Sequence, residues 1–431
     1  MEQRVQGFAI ADDISSGPPC SHSMVTRCGS EGFPKTIKLL LDARKISDGG
    51  IGTYVRNLIT GLSKRPDIDL TVLVREGEAR DEQLREIPQV LTTSGLYSLH
   101  EMFRLGVEIP WQSFSLFHTP HFVLPLRIPV PSVVTIHDLN HLYHPERSYY
   151  PVIAFPYFVS ALARARGIIA VSRQTAREIE QFSWRSRSVA EKVSVIPNGV
   201  SAPSESDFGP SSDDGENRKS AMRDSAPYLL SVISTNKPHK GVSDLIAAFA
   251  QIAPQHPSLT LVIVGAGTPS DSLIPGHLAS RVRLEGLVER RALWRWYREA
   301  EAVVVASLQE GFCLPVIEAH AVGVPVVARP VPTLTEVLTA DDAVAADMSA
   351  QALGEAIDEM MRRKNGKVWD VKQVRLIEHA SQYSIAEVTN LTVNCYKQAL
   401  QRRNGSWLDR SICQRMAVAP HHSSLQTRGP R

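Results

Sequence analysis

A chain of 431 residues with 43% hydrophobic and 21% charged residues has a globular balance and the length for two domains of ordinary size. A formal charge of +2 leaves no footprint for a nucleic-acid partner, and five scattered cysteines (Cys20, Cys28, Cys313, Cys395, Cys413) fit a reducing compartment better than a disulfide framework. No apolar run approaches the roughly 18 residues of a membrane span, and the N-terminus lacks the basic-then-apolar order of a signal peptide, so the chain reads as cytosolic.

Residues 1–35 carry Ser, Gly, Pro and Cys without periodicity and are expected to be a disordered lead-in. Residues 37–44, IKLLLDAR, have a buried-strand pattern, and 52–62 show helical spacing at Tyr54, Val55, Leu58, Ile59 and Leu62. Between them Gly49, Gly50 and Gly52 put permissive glycines and a helix N-terminus at the carboxyl end of a strand, where open α/β sheets bind ligands. A tight strand-to-helix connection would use the same residues. Residues 69–75 predict the second strand. Asp67-Ile68-Asp69 has the form of a D-x-D metal motif, but it opens a strand in a chain of repeating strand–helix units, so a charged loop explains it better. From Glu76 to Glu108 only polar loop and helix fragments are legible.

Short apolar strands at 114–117 and 130–136 are each followed by histidine: His118 and His121, then His137, His141 and His144. Such a cluster invites a metal-dependent hydrolase, since imidazoles at i and i+4 on a helix share an ion. His137 ends a strand, however, and Leu139, Leu142, Tyr143 and Pro145 suggest an irregular loop, which favours histidines lining a polar cleft. A helix at 149–165, a strand at 167–171, a helix at 173–182 capped by Ser172, and a strand at 193–196 complete the first half. Arg164, Arg166, Arg173, Arg177, Arg185 and Arg187 form either a solvated helix face or a peripheral contact for an anionic membrane surface.

Residues 201–226 turn to Ser, Asp, Gly, Pro and Glu and mark a linker. A strand at 228–233 then leads through STNKPHKG (234–241) to a helix at 242–252. Lys237, His239 and Lys240 thus lie between a strand end and a helix start, where cations and free N–H groups suit a diphosphate; an exposed basic loop is the alternative. Strands at 259–264 and 282–284 and a helix at 289–300, with Leu293, Trp296 and Tyr297 inward, come next. A strand at 302–306 feeds a loop of Glu310, Gly311, Phe312, Cys313 and Leu314, and Pro315 opens a helix that holds Glu318 and ends near Gly323. Gly311 removes a Cβ where the loop must let a ligand close in. This helix is apolar nearly all round, so Glu318 wants a hydrogen-bonding ligand, for which sugar hydroxyls would serve. Solvated carboxylates are the ordinary alternative. Helices at 352–361 and 385–400 follow, then a basic tail at 403–431 expected to be disordered.

The stretch 307–328, SLQEGFCLPVIEAHAVGVPVVA, resembles the E-G-F-G-L-P-x-x-E-A-x-A-x-G-x-P-V-V-A signature of family-4 glycosyltransferases, retaining enzymes of the GT-B fold that use nucleotide-sugar donors. VIPNGV at 195–200 resembles the end-of-domain motif of that family, and Pro238-His239-Lys240 its loop cations. Cys313 and Ser234 stand where the family has glycine, and the 234–241 loop lacks an arginine. The resemblance implies two Rossmann-like, doubly wound α/β domains facing each other across a cleft. The acceptor-side domain would span 36–200 and the nucleotide-sugar domain 227–383, and the last helix, 384–402, would cross back onto the first.

The resemblance also implies roles. Glu318 would take ribose hydroxyls; Lys240, with Lys237 and His239 beside it, would hold the diphosphate without a metal or other cofactor. Glu310 would take hexose hydroxyls, with Gly311, Phe312, Cys313 and Leu314 around the donor sugar. Gly49, Gly50 and Gly52 would face diphosphate and acceptor, and His137 would contact the transferred sugar. The expected partners are a nucleotide sugar, by analogy GDP-mannose, and a saccharide or lipid-linked saccharide of cell-surface polysaccharide synthesis, handled in the cytoplasm or on the inner face of the membrane. An epimerase or phosphorylase of the same fold, the hydrolase, and a degenerate binding protein stay open; Cys313, Ser234 and the missing arginine keep the last alive.

Overall fold

The computed structural model describes residues 36–402, apart from 144, 146, 209–225, 235–236, 266–272 and 365–368. The expectations of disorder at 1–35 and 403–431, and most of the 201–226 linker, lie outside the described residues. Strands β1 (Ile37–Asp42), β2 (Ile68–Val74), β3 (Gln89–Leu91), β4 (Leu116–Thr119), β5 (Ser132–Ile136), β6 (Gly167–Ala170) and β7 (Val193–Val195) form a seven-stranded sheet in the order 3-2-1-4-5-6-7. A six-stranded sheet holds β8 (Tyr228–Val232), β9 (Thr260–Val264), β10 (Val282–Gly286), β11 (Ala302–Val305), β12 (Val326–Ala328) and β13 (Ala343–Val344) in the order 10-9-8-11-12-13. Neighbouring strands are parallel throughout. Runs such as LLL at 39–41, TLVIV and AVVV are apolar on both faces because helices cover both sides of a parallel sheet.

Each strand order reverses about its first strand, between β1 and β4 and between β8 and β11. At such a switch the connecting helices leave to opposite faces and a crevice opens at the strands' carboxyl ends. The fold is therefore the doubly wound α/β pair expected from the sequence. The Ile385–Gln401 helix packs on the first sheet: Val388, Val393, Tyr396 and Ala399 join its core, and a Cβ on Gly61 would meet Thr389 Oγ1 at 1.9 Å. Elsewhere Val200 N–H donates to the Tyr383 carbonyl (2.8 Å), and Glu336 accepts from the backbone N–H groups of Arg173 (2.8 Å) and Gln174 (2.7 Å).

The stretch 76–108 holds edge strand β3 and the helix Leu99–Glu108, which turns Leu99, Phe103 and Val107 to solvent and so lacks the usual apolar-inward signature. The Trp369–Ser381 helix escapes detection for the same reason, with Val371, Val374 and Ile377 exposed. The arginines of the first half do not build one face. Arg164 turns inward to the Leu124 and Pro125 carbonyls, Arg166 donates to the Arg402 carbonyl (2.9 Å), and Arg187 pairs with Glu191 (2.9 Å). Asp67 is tied to Arg65 (2.8 Å) and Lys397 (3.0 Å), a structural use of the D-x-D residues. Among the described residues no helix is long and apolar enough to cross a membrane.

Candidate active site

The loops after β8 and β11 meet at the switch point of the second sheet. Lys240 Nζ donates to Glu310 Oε1 at 2.7 Å, and Ser307 Oγ donates to the same oxygen at 2.7 Å. Thr333 Oγ1 donates to the Glu310 carbonyl (2.8 Å), and Leu308 N–H to the His239 carbonyl (2.7 Å), so both loops are held as one unit. Gly241 makes this approach possible: its φ is +64°, and a Cβ there would lie 2.2 Å from the Ala306 carbonyl oxygen. Burial works to lower the pKa of Lys240, but the Glu310 carboxylate outweighs it and the pKa is raised, so the ammonium persists. Oε2 of Glu310 has no hydrogen-bond partner among the described residues.

Gly311 meets the first half. An ideal Cβ on it would sit 2.2 Å from the carbonyl oxygen of His137, at the end of β5. What closes on this glycine is thus the facing strand end, where the sequence suggested a ligand. The His137 carbonyl also accepts from Thr175 Oγ1 (3.2 Å), and its ring stands edge-on to Tyr54 with centroids 5.0 Å apart. Burial lowers the His137 pKa to about 4, against the pull of Asp138. The imidazole is therefore neutral near pH 7, and the Pro120 carbonyl 3.0 Å from Nε2 assigns the proton there, leaving Nδ1 as an acceptor. A Cβ added to Gly49, whose φ is +46°, would lie 3.5 Å from Ser234 Cβ across the halves, and one added to Gly50 would face open space. Gly52 differs from expectation: its missing Cβ clears the Ile46 carbonyl at 2.4 Å, so it serves helix packing.

Phe312 and Leu314 are likewise buried side chains, Phe312 against the Tyr383 ring at 5.9 Å, so only backbone of this turn is left to meet a ligand. Cys313 is buried in a left-handed conformation (φ +72°), which explains why glycine suits the position, and burial raises its thiol pKa well above the ordinary value. Glu318 is 4% exposed, but it is not the lone carboxylate expected. The neighbouring Arg290–Glu299 helix supplies Arg290 Nη1, 2.7 Å from Oε1, and the Tyr297 hydroxyl, which donates to Oε2 at 2.7 Å. Arg290 also stacks over the Trp294 ring at 4.5 Å. Lys237 lies beside the Pro238–Lys240 turn, and His239 and Lys240 fall within it.

The histidines do not converge on an ion. His118 spends both ring nitrogens on Tyr396 OH (2.7 Å) and Thr135 Oγ1 (2.9 Å), His137 Nε2 faces Pro120, and His144 lies outside the described residues. Asp42, Glu101 and His121 do have ligand atoms within 4.8 Å of one another. The Arg44 guanidinium already fills that place, donating to Asp42 (2.6 Å) and Glu101 (2.5 Å). A metal would have to displace a buried cation that satisfies both carboxylates.

Two family models match the sequence: Glycosyltransferase Family 4 over residues 48–202 and Glycosyl transferases group 1 over residues 213–382. Together they run along both halves. The chain belongs to glycosyltransferase family 4. This glycosyltransferase is 27% identical over 299 residues to O-antigen chain mannosyltransferase B of Escherichia coli, covering 65% of the chain and 74% of that protein. It is 26% identical to O-antigen chain mannosyltransferase RfbU of Salmonella typhimurium, covering 68% and 82%. Its fold is that of Anabaena Alr3699/HepE, solved with UDP and glucose, at a TM-score of 0.64, 19% identity, and 84% and 99% coverage. A Rickettsia africae glycosyltransferase superposes at a TM-score of 0.65 with 15% identity, covering 86% of this chain and 100% of that one.

Sequence reasoning missed the residues that hold the two glutamates of this glycosyltransferase. Thr333, on the Glu310 carbonyl, and Arg290, on the Glu318 carboxylate, lie 23 and 28 residues away in the sequence, and Ser307, three residues before Glu310, has no motif of its own. Tyr297 showed only as an inward helix residue; the buried glutamate it would satisfy was the available signal.

Proposed function

We propose that this glycosyltransferase is a retaining hexosyltransferase that moves mannose from GDP-mannose to a saccharide or lipid-linked saccharide acceptor. The Lys240–Glu310 pair carries the reading: a cation and a carboxylate fixed at a switch point, with Glu310 Oε2 uncommitted and the His137 strand end closed against the adjoining glycine. Mannose is supported by the two O-antigen mannosyltransferases, each covered over most of its length. GDP as the nucleotide and retention of configuration follow the family resemblance.

Lys240 and helix N–H groups take the charge that develops on the diphosphate, doing what a metal does elsewhere. Glu310 orients hexose hydroxyls through Oε2, Glu318 takes the ribose, and neutral His137 accepts a sugar hydroxyl at Nδ1. The bond from the anomeric carbon to the diphosphate oxygen breaks with its electron pair leaving on the diphosphate. The acceptor oxygen bonds to the same face of that carbon, and its proton passes to the leaving phosphate. Closure of the 36–200 and 227–383 lobes excludes water that would hydrolyse the donor. We place the reaction on the cytoplasmic side of a membrane. Glu310→Gln tests it: turnover should drop by roughly 10²-fold or more while nucleotide affinity holds. Undiminished turnover, measured as nucleoside diphosphate release, overturns the assignment.

A further inference from the structure

Four polar side chains cross the core between the first sheet and the helices packed on it. Tyr396 of the Ile385–Gln401 helix, His118 of β4, Thr135 of β5 and Tyr54 of the Gly49–Leu62 helix are each no more than 1% exposed. They are joined end to end. Tyr396 OH lies 2.7 Å from His118 Nδ1, His118 Nε2 lies 2.9 Å from Thr135 Oγ1, and Tyr54 OH lies 2.9 Å from the same Thr135 oxygen. Burial keeps the titratable members uncharged, raising the pKa of both tyrosines and lowering that of His118 to about 3. Apolar side chains of the same shape would fill this space with no hydrogen bond to satisfy and little or no loss of stability. What a satisfied polar network adds is a single, fixed arrangement.

The chain ends on His137. Side chains two apart along a strand share a face, so Thr135 and His137 stand on the same side of β5 and its continuation. The Tyr54 ring, pinned at its hydroxyl by Thr135, is edge-on to the His137 ring, with centroids 5.0 Å apart and planes at 87°. The Pro120 carbonyl, 3.0 Å from His137 Nε2, fixes one atom of the imidazole and leaves it able to tilt about that bond. Tyr54 fills space on the ring's flank and blocks the tilt. At its other end the chain is anchored in the crossing helix. That helix begins at its N-cap Ser384, directly after Tyr383, whose carbonyl accepts from Val200 N–H.

We infer that Tyr396, His118, Thr135 and Tyr54 are positioning residues: they hold the His137 imidazole at the angle at which Nδ1 meets a hydroxyl of the transferred sugar. All four are buried and act through that ring alone, so the crossing helix takes part in the reaction without reaching the cleft. The inference rests on the sugar contact proposed for His137 above.

Two substitutions at the junction of the chain separate orientation from packing. Thr135→Val keeps the volume and removes the hydroxyl, whereas Thr135→Ser keeps the hydroxyl and removes a buried methyl group; both should melt below the wild type. Only Thr135→Val should lose turnover, by roughly 10-fold with donor affinity unchanged, less than the roughly 10²-fold of a 1 Å misplacement. In a His137→Ala background Thr135→Val should cost no further turnover while its effect on melting temperature persists, because the ring it positions is gone. Nitrogen NMR spectra of isotope-labelled histidine side chains give a readout independent of turnover. The Nε2–H signal of His137, assigned by its loss in His137→Ala, should move in Thr135→Val and hold its place in Thr135→Ser. Equal losses of turnover from valine and serine, an equal cost of Thr135→Val with and without His137, or an unmoved His137 signal in Thr135→Val overturns the inference. Full turnover by His137→Ala would instead sink the sugar contact proposed for that residue, and the spectra would decide the positioning on their own.

Discussion

Gly311→Ala is the most direct test of how the two halves meet. A Cβ at position 311 would lie 2.2 Å from the His137 carbonyl oxygen, well inside the 3.0 Å that such contacts respect. The obstacle is backbone at the end of β5, anchored further by the Thr175 hydroxyl, so it cannot rotate aside as a side-chain tip would. The adjoining residue is Glu310, itself held by Lys240, Ser307 and Thr333. Relief of the clash therefore moves either the strand end or the Lys240–Glu310 unit by roughly 1 Å, and a displacement of that size at a reacting centre costs about 10²-fold in rate. That corresponds to about 2.7 kcal/mol of barrier. The measurement is nucleoside diphosphate release under saturating donor, with melting temperature alongside. Gly77→Ala is the control, at φ −67° with no atom within 4 Å of the added Cβ. Turnover of Gly311→Ala equal to that of the control would show that the halves need not approach this closely in catalysis.

Glu318→Gln keeps an oxygen for the Tyr297 hydroxyl but removes the charge facing Arg290, so nucleotide affinity should fall with the fold intact. Glu318→Ala should in addition lose about 1–3 kcal/mol in urea unfolding, because it strands a buried hydroxyl; unchanged dissociation constants in both variants would refute the ribose role. Cys313→Gly exchanges a left-handed penalty of roughly 1–2 kcal/mol for a glycine entropy cost of roughly 0.5–1 kcal/mol, so its melting temperature should stay near the wild type's. Cys313→Val, β-branched at φ +72°, should melt distinctly lower; equal melting of the two would contradict the strain. Burial lowers the pKa of His118 from 6.5 to about 3 and that of His137 to about 4. Between those values and 6.5 the unfolded chain binds protons that the folded chain refuses, so stability is full above that range and falls as pH drops through it. Urea midpoints from pH 7 to pH 4 report this, and a flat profile would count against it.

The doubly wound plan was legible because parallel strands buried on both faces write continuous apolar runs, as in LLL at 39–41 and AVVV at 302–305. Glu310 and Lys240 were legible as polar residues at strand ends. Their pairing was not, since the two residues lie 70 apart in the chain and are brought together only by the β8–β11 adjacency. Gly52 and Gly311 show the limit of reading glycines: both are sites of close approach, but the approaching atoms are carbonyls of this chain. Helices with outward apolar residues, Leu99–Glu108 and Trp369–Ser381, defeat periodicity because the rule assumes that apolar residues face inward.

The two carboxylates differ in what a ligand must move. An ionised carboxylate offers about four lone-pair positions, and at Glu310 both donors crowd one oxygen, Oε1, leaving Oε2 open. Hydroxyls can add there without disturbing Lys240, whose side chain is only 15% exposed and has no room to swing away. At Glu318 each oxygen already has a donor, one of them the hydroxyl of fully buried Tyr297. The other, Arg290, is 44% exposed and can leave for solvent or turn its remaining N–H groups to the incoming nucleotide. Glu318 is 4% exposed, so a ligand reaches it by moving the mobile Arg290 side chain, whereas Glu310 is reached with Lys240 in place; Arg290→Ala should therefore change nucleotide affinity and spare the sugar-dependent step. A fall in kcat at saturating donor with unchanged nucleotide affinity would reverse the two assignments.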